Sequence, residues 1–315
     1  MADKKIIAVV GATGAQGGGL VRAILADRES DFAVRALTRH TDSDKARALA
    51  AAGAEVVSAD LDDQASLERA FAGAYGVFAL TNFWEHFSPE KELVQAGNQA
   101  RAAKAAGVHH VIWSTLEDTR KWVPLSDERM PTLQRKYKVP HFDAKGEADQ
   151  IFRDLGVPTT FLLTAFYWDN LVQTGPQKGP DGRLAITYPL GDKKLPAIAV
   201  EDIGKAAYAI FKRGDEFINR TVGIAGEHLS GQEMAAALSR ALGREVVYNA
   251  VSPETFRSFG FPAADDLGNM FQFKRDFNEY YRGVRNIDFS RSLNPELQSF
   301  EAWLARHKNE ISIAA

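Results

Sequence analysis

Three glycines, Gly11, Gly14 and Gly17, stand at three-residue spacing directly behind the apolar run Ile6-Ile7-Ala8-Val9-Val10. Glycine lets a chain turn sharply, and it lets backbone approach a bound group with no Cβ in the way. Where such a turn opens a helix, first-turn N–H groups and the positive end of the helix dipole face one point, and the natural occupant is an anion such as a pyrophosphate. Thr13, Ala15 and Gln16, lying between the glycines, join the candidate contact surface. The spacing Gly-x-x-Gly-x-x-Gly is one residue longer in its first half than the usual dinucleotide fingerprint. The triplet alone therefore leaves a plain strand-to-helix connector open.

The elements that must hold this turn are legible around it. The run Ile6–Val10 reads as a strand buried on both faces, and Leu20, Ile24 and Leu25 recur at helical spacing beyond the glycines. Further strands are expected over Phe32–Thr38, Ala54–Ser58, Gly76–Leu80, Val108–Ser114 and Pro158–Leu163. The helices between them are expected over Asp44–Ala52, Gln64–Phe71, Glu90–Ala106 and Asp143–Leu155. Strands separated by one helix each imply right-handed crossovers and a doubly wound parallel α/β sheet of the Rossmann type. The expected division is a nucleotide-binding domain over residues 1–163, with a returning segment near 184–225, and a smaller C-terminal lobe over 164–315. In that lobe Gly179-Pro180-Asp181-Gly182 reads as a turn, Ile198–Asp202 as a strand entering a helix with Asp202 near its cap, and the remainder as mostly helical.

A second chemical signal follows the second strand. Proteins that prefer NAD place a carboxylate there to hold the adenosine ribose. This chain places Thr38-Arg39, with no acid before Asp42. Arg39 can grip a 2′-phosphate through a planar charged fork, with Lys45 as a weaker second charge, so the expected cofactor is NADP(H). A solvated arginine is the plainer alternative. Asp60 and Leu61, after the third strand, are placed to border the adenine. Thr81, Asn82 and Phe83, after the fourth, lie at the carboxyl edge where the nicotinamide side is expected.

Composition narrows the rest. The 315 residues contain no cysteine and carry a formal charge of −3, so disulfides, thiolate nucleophiles and zinc–sulfur sites are excluded, and no basic field favours nucleic acid. No apolar run approaches membrane-spanning length and no leader precedes the first strand, so the expected partner set excludes membranes and the expected location is cytoplasmic. Seven scattered histidines give no metal site, and neither a Ser-His-Asp signature nor a Walker lysine is present. The stretch Glu117–Pro140, with its run Arg135-Lys136-Tyr137-Lys138, is open between a solvated loop and a lid.

Several stretches together resemble the NmrA-like group of atypical short-chain dehydrogenases/reductases, and within it the HSCARG-type NADP(H) sensors. They are Gly11–Gly17, Leu37-Thr38-Arg39, Thr81-Asn82-Phe83-Trp84-Glu85, His141–Glu147, Pro176–Gly182 and Gly260-Phe261-Pro262. Ordinary reductases of that superfamily carry Tyr-x-x-x-Lys, the tyrosine passing the proton and the lysine holding the nicotinamide ribose. Here His141 stands in the tyrosine's place and Lys145 four residues on. Three readings stay open. Lys145 anchors the ribose in a protein that binds NADPH without turning it over, as the sensor resemblance implies; His141 or Lys145 replaces the tyrosine as proton donor; or both are ordinary helix residues. The resemblance places Ser114 where a substrate-orienting hydroxyl sits, while Phe166, Tyr167 and Asn170 could shape a pocket for a flat substrate. The implied function is a redox sensor or regulator, with an NADPH-dependent reductase of quinone-like or other flat carbonyls as the alternative. A protein partner or a homodimer stays open.

Overall fold

The computed structural model describes residues 4–179 and 182–313, so Pro180 and Asp181 of the expected turn lie outside the described residues. The apolar runs form β1 (Lys5–Val9), β2 (Phe32–Thr38), β3 (Glu55–Ser58), β4 (Gly76–Ala79), β5 (His110–Thr115) and β6 (Thr159–Leu163). They pair in the order β3-β2-β1-β4-β5-β6, with Thr221–Gly223 added beyond β6 as the seventh strand. Each pairing from β3 to β6 is parallel. The order turns back between β1 and β4, and the crevice at that reversal is where ligands bind in such sheets.

The connecting helices are α1 (Ala15–Ala26), α2 (Asp44–Ala51), α3 (Gln64–Phe71), α4 (Pro89–Ala105) and α5 (Pro140–Asp154). Side chains fix where three of them begin: Ser43 accepts from Ala46 N, Asp63 from Ala65 N and Ser66 N, and Ser88 from Lys91 N. Alternation along the strands sends Ala8 and Val10, Val77 and Ala79, and Val111 and Trp113 to one face. There they pack with Leu67, Phe71, Ala96, Ala100, Ala148 and Phe152 from α3, α4 and α5. The intervening Ile7, Val9, Val34, Ala36 and Phe78 are equally buried, which is why the strands read as continuous apolar runs rather than alternating ones.

The chain divides into two compact units. One takes the residues up to Asp118 with His141–Thr164 and Glu201–Val222; the other takes Thr119–Pro140, Ala165–Val200 and the chain from Gly223 on. The second unit holds two three-stranded sheets, Phe166–Tyr167 with Leu195–Ile198 and Glu227–Leu229, and Gln177–Lys178 with Leu184–Tyr188 and Val246–Ala250. The strand Val246–Ala250, which the sequence reading gave to helix, pairs in parallel with Leu184–Tyr188. Its stability comes from a partner some sixty residues away, with no local pattern to announce it. Asp202 lies in the first turn of the helix Val200–Lys212, near its start as expected, and the first N–H, that of Val200, goes to the Asp169 carboxylate at 2.9 Å.

The stretch 119–140 is anchored within the second unit. Lys138 is 1% exposed, and its ammonium donates to the carbonyls of Asp127 and Met130 at 2.7 Å each. Asn269 and Gln272 donate to the carbonyls of Pro131 and Arg129. The basic run is therefore split, with Arg135 and Lys136 in solvent and Tyr137 and Lys138 inside.

Candidate functional site

The glycine turn takes the conformation that its residue types permit. Gly11 leaves β1 at φ +63°, a left-handed backbone that disfavours any side chain. A Cβ on Gly17 would stand 2.5 Å from the Gly11 carbonyl oxygen and 2.7 Å from that of Val10, so only glycine lets α1 lie this close to the strand. Gly14 is the N-cap of α1, and no side chain caps that end, in contrast to α2, α3 and α4. No acidic residue occupies the first turn either. An anion suits a helix start built this way.

Gln16, in that first turn, accepts a hydrogen bond from the Ser114 hydroxyl at 2.8 Å. This ties the start of α1 to the end of β5, across the β1–β4 reversal. Asp60 and Leu61 are held at the end of β3 by neighbouring helices: Ser66 Oγ accepts from Asp60 N, and Asn98 donates to the Leu61 carbonyl at 2.8 Å. Arg39 follows β2 as expected, and its guanidinium is paired with Glu85, which closes a short 3-10 turn over Phe83–Glu85 after β4.

At the other side of the reversal, α5 begins at Pro140, so His141 and Lys145 lie one turn apart on the helix. Lys145 Nζ lies 3.0 Å from the Thr81 carbonyl, 2.7 Å from Thr81 Oγ1 and 2.7 Å from Glu92 Oε1. The first two are hydrogen bonds and the third is an ion pair. Thr81 Oγ1 in turn donates to Glu92 Oε1 at 2.6 Å. Glu92 is fully buried, and its second oxygen lies 3.5 Å from His86 Nε2. Because His86 Nδ1 accepts from Ser88 N, the ring proton is assigned to Nε2, facing that oxygen. Behind the lysine, the Trp113 ring lies 5.4 Å from Nζ, with its indole N–H on Asp149. Thr115 donates to the same Asp149 at 2.7 Å.

His141 is 5% exposed and surrounded by rings: Trp84 and Phe142 at 4.8 Å and Phe83 at 6.0 Å between centroids. Gly146 adjoins Lys145, and the backbone of Glu117 and Asp118 lies where its Cβ would be. Thr81, Phe83, His141 and Lys145 are thus brought together, and Ser114 meets Gln16. Phe166, Tyr167 and Asn170 belong to the second unit, where Phe166 stacks with Tyr188 and Phe271 at about 6 Å and Asn170 opens a short helix.

Two acids were not singled out by sequence. Glu92 does carry a signal: with Ala96, Ala100 and Ala103 it falls on the buried stripe of α4, where an acid needs a partner. Glu85 stands in the aromatic stretch after β4, but its partner lies 46 residues away. Among the described residues no cluster of three or more potential metal ligands occurs, and no helix is long and apolar enough to cross a membrane.

Known proteins give this geometry a family. Residues 3–304 match the model of the NmrA-like family. The chain belongs to that family. It is 30% identical over 295 residues to an NmrA-like family domain-containing oxidoreductase, FrzB, of a Cladobotryum species, covering 85% of this chain and 83% of the relative. Among solved structures it is similar to NmrA, a negative transcriptional regulator, in complex with NAD (TM-score 0.77) and with NADP (TM-score 0.76). Each of those is 26% identical and covers 96% of this chain and 95% of the other.

Proposed function

We propose that this NmrA-like chain binds NADP(H) and acts as a sensor of it, with occupancy rather than turnover as its output. The residues present fit the group: the Gly11–Gly17 turn leaves room where a Cβ would intrude, and the helix start behind it carries no side-chain cap. In this reading the turn holds the diphosphate, with Thr13, Ala15 and Gln16 around it. Arg39 takes the 2′-phosphate, Asp60 and Leu61 border the adenine, Thr81, Asn82 and Phe83 line the nicotinamide side, and Lys145 faces the nicotinamide ribose. Bound NADPH supplies a hydride.

The observation that carries the sensor reading is the state of the groups that would have to supply the matching proton. Lys145 donates twice to Thr81 and is ion-paired with Glu92, and His141 has three aromatic rings around it. Neither side chain is poised to donate to a substrate oxygen, since a general acid must reach that oxygen directly or through one water. Ser114 gives its proton to Gln16.

Calorimetry tests the binding. NADPH is expected to bind more tightly than NADH, and Arg39→Ala to weaken NADPH roughly tenfold while changing NADH little, because a charge-assisted contact contributes about 1.5 kcal/mol. Equal affinity for the two nucleotides removes the NADP(H) assignment. Hydrogen exchange and solution size, with and without NADPH, test the output. The 119–140 stretch or the assembly state is expected to respond, and identical profiles at saturation sink the sensor reading.

A reductase is the second reading, favoured by the oxidoreductase name of the 30%-identical relative. It expects NADPH absorbance to fall with some member of a quinone and aldehyde panel, and that activity to vanish in Lys145→Ala. Silence across the panel leaves the sensor.

A further inference from the structure

We infer that Glu85 is a nucleotide-discriminating residue: it engages Nη2 of the Arg39 guanidinium and so competes with a 2′-phosphate for it. The inference rests on the NADP(H) reading of Arg39 and goes beyond it by naming the group that opposes it. Arg39 Nη2 lies 3.2 Å from both carboxylate oxygens of Glu85. Asn82 Nδ2, at 3.3 Å from Oε1, steadies the same carboxylate. Arg39 follows β2 and Glu85 follows β4, with β1 running between those strands. The pair therefore reaches across the end of β1, where the glycine turn begins.

Charge decides how the pair responds. A ribose bearing only a 2′-hydroxyl gives Arg39 no anion to exchange, so Arg39 keeps Glu85. A 2′-phosphate offers Arg39 a stronger acceptor and puts like charge beside Glu85, so the carboxylate leaves. Both side chains are about half exposed, at 54% and 48%. An exposed pair of this kind shifts an equilibrium by only about two- to fivefold. Glu85 is therefore a competitor that Arg39 can release, and its effect is to narrow the preference for NADP(H) over NAD(H).

The release has a built-in reporter. Trp84 precedes Glu85 in the same turn, is 42% exposed, and its indole lies 4.8 Å from the His141 ring. Phe87, at the exit of the turn, is held at φ +54°, which a bulky side chain adopts only when its surroundings impose it. Freeing Glu85 removes one tether from a turn already under constraint, and the environment of Trp84 changes with it.

The experiment uses the full chain, wild type and Glu85→Gln, with NADPH and NADH titrated separately by calorimetry and NADP+ and NAD+ by tryptophan emission, because the reduced nicotinamide ring itself absorbs that emission. Glu85→Gln is expected to tighten NADPH by about two- to fivefold and to leave NADH within about twofold. Wild-type emission is expected to change more with NADP+ than with NAD+, and that difference to disappear in Trp84→Phe. Unchanged or weaker NADPH binding in Glu85→Gln overturns this inference while leaving the nucleotide site intact. Weaker NADH binding there also overturns it, because Glu85 would then be a ribose ligand. Failure of the wild type to bind NADPH at all overturns the underlying site instead.

Discussion

The glycine turn after β1 and the lysine knot on α5 lie on the same edge of the sheet and are built in opposite ways. At the turn, small residues and an uncapped helix start leave polar backbone with no side chain to satisfy it. At the knot, Lys145, Thr81 and Oε1 of Glu92 meet within 3.0 Å, with the Trp113 ring behind the lysine, while Glu92 Oε2 keeps no hydrogen-bond partner. A helix start left uncapped suits an incoming anion, whereas a set of charge-assisted contacts holds its geometry whether or not a ligand arrives. In the proposed reading the contrast separates binding from chemistry on one scaffold: the turn is left open for a ligand, and Lys145 is engaged by its neighbours.

The strongest way to break that contrast is to untie the knot. Glu92→Ala leaves the Lys145 ammonium largely buried with no counter-charge, and removing one partner of a buried pair costs about 3–5 kcal/mol. Denaturant unfolding is expected to show a loss of that size, and Glu92→Gln a smaller one, because the amide oxygen can still accept from Lys145. A loss under about 1 kcal/mol in Glu92→Ala would mean that the knot is loose enough for Lys145 to serve a substrate, and the reductase reading would gain.

Acid provides a second probe, acting at a buried base that belongs to neither region. Burial lowers the pKa of His110 from 6.5 to about 4. Its Nε2 lies 2.8 Å from Thr160 Oγ1, which itself donates to the Phe217 carbonyl, and Nδ1 has no hydrogen-bond partner. A proton added at Nδ1 would have no acceptor. The unfolded chain therefore binds more protons between those two values, so this stabilisation is complete above pH 6.5 and falls away as pH drops to about 4. The loss amounts to about 3 kcal/mol. Unfolding at pH 7 and pH 4.5 is expected to show this loss in the wild type and a smaller one in His110→Gln. Equal slopes would mean that His110 is not buried as a neutral base. The comparison matters because global acid weakening must be subtracted before any pH effect on nucleotide binding is assigned to the turn or the knot.

Gly17→Ala attacks the open region directly. The added methyl meets two carbonyl oxygens and forces α1 away from β1, an overpacking cost of about 1–3 kcal/mol. Nucleotide affinity is expected to fall further than stability does, since in the proposed reading the displaced helix start carries the diphosphate contacts. Thermal unfolding and NADPH calorimetry on the same sample distinguish the two losses. Unaltered NADPH affinity would remove the turn from the binding site.

The two regions also differ in how far sequence alone revealed them. The turn was legible because its signal is local: an apolar run, glycines at fixed offsets, and a periodic helix behind them. The same locality gave β2 over Phe32–Thr38 and α3 over Gln64–Phe71 to the residue. Where the next partner is distant, the pattern is silent. The knot joins the end of β4 with α4 and α5, and Glu92, in the first turn of α4, was not singled out. Arg39 was picked out by its place after β2, but Glu85 was not paired with it, because that contact depends on the β2-β1-β4 order. Lys138 belongs to a run that sequence leaves open between a solvated loop and a lid, and only tertiary carbonyls from Asp127 and Met130 show why it is buried.

The finest test lies where the two regions meet. Ser114, the residue before the last of β5, is 4% exposed and gives its proton to Gln16, so it links the knot's side of the crevice to the start of α1. If that link is its whole task, Ser114→Ala removes one hydrogen bond worth about 1 kcal/mol, read by denaturant unfolding. NADPH binding should then loosen only slightly as Gln16 gains freedom. If Ser114 orients a substrate, the same variant keeps its NADPH affinity and loses turnover on whichever carbonyl the wild type reduces. The two outcomes separate on NADPH affinity and on turnover, because a hydroxyl whose only proton is spent on Gln16 cannot also donate to a substrate. A stable Ser114→Ala protein that binds NADPH normally and has lost a measurable reductase activity would therefore reopen the knot as a catalytic centre.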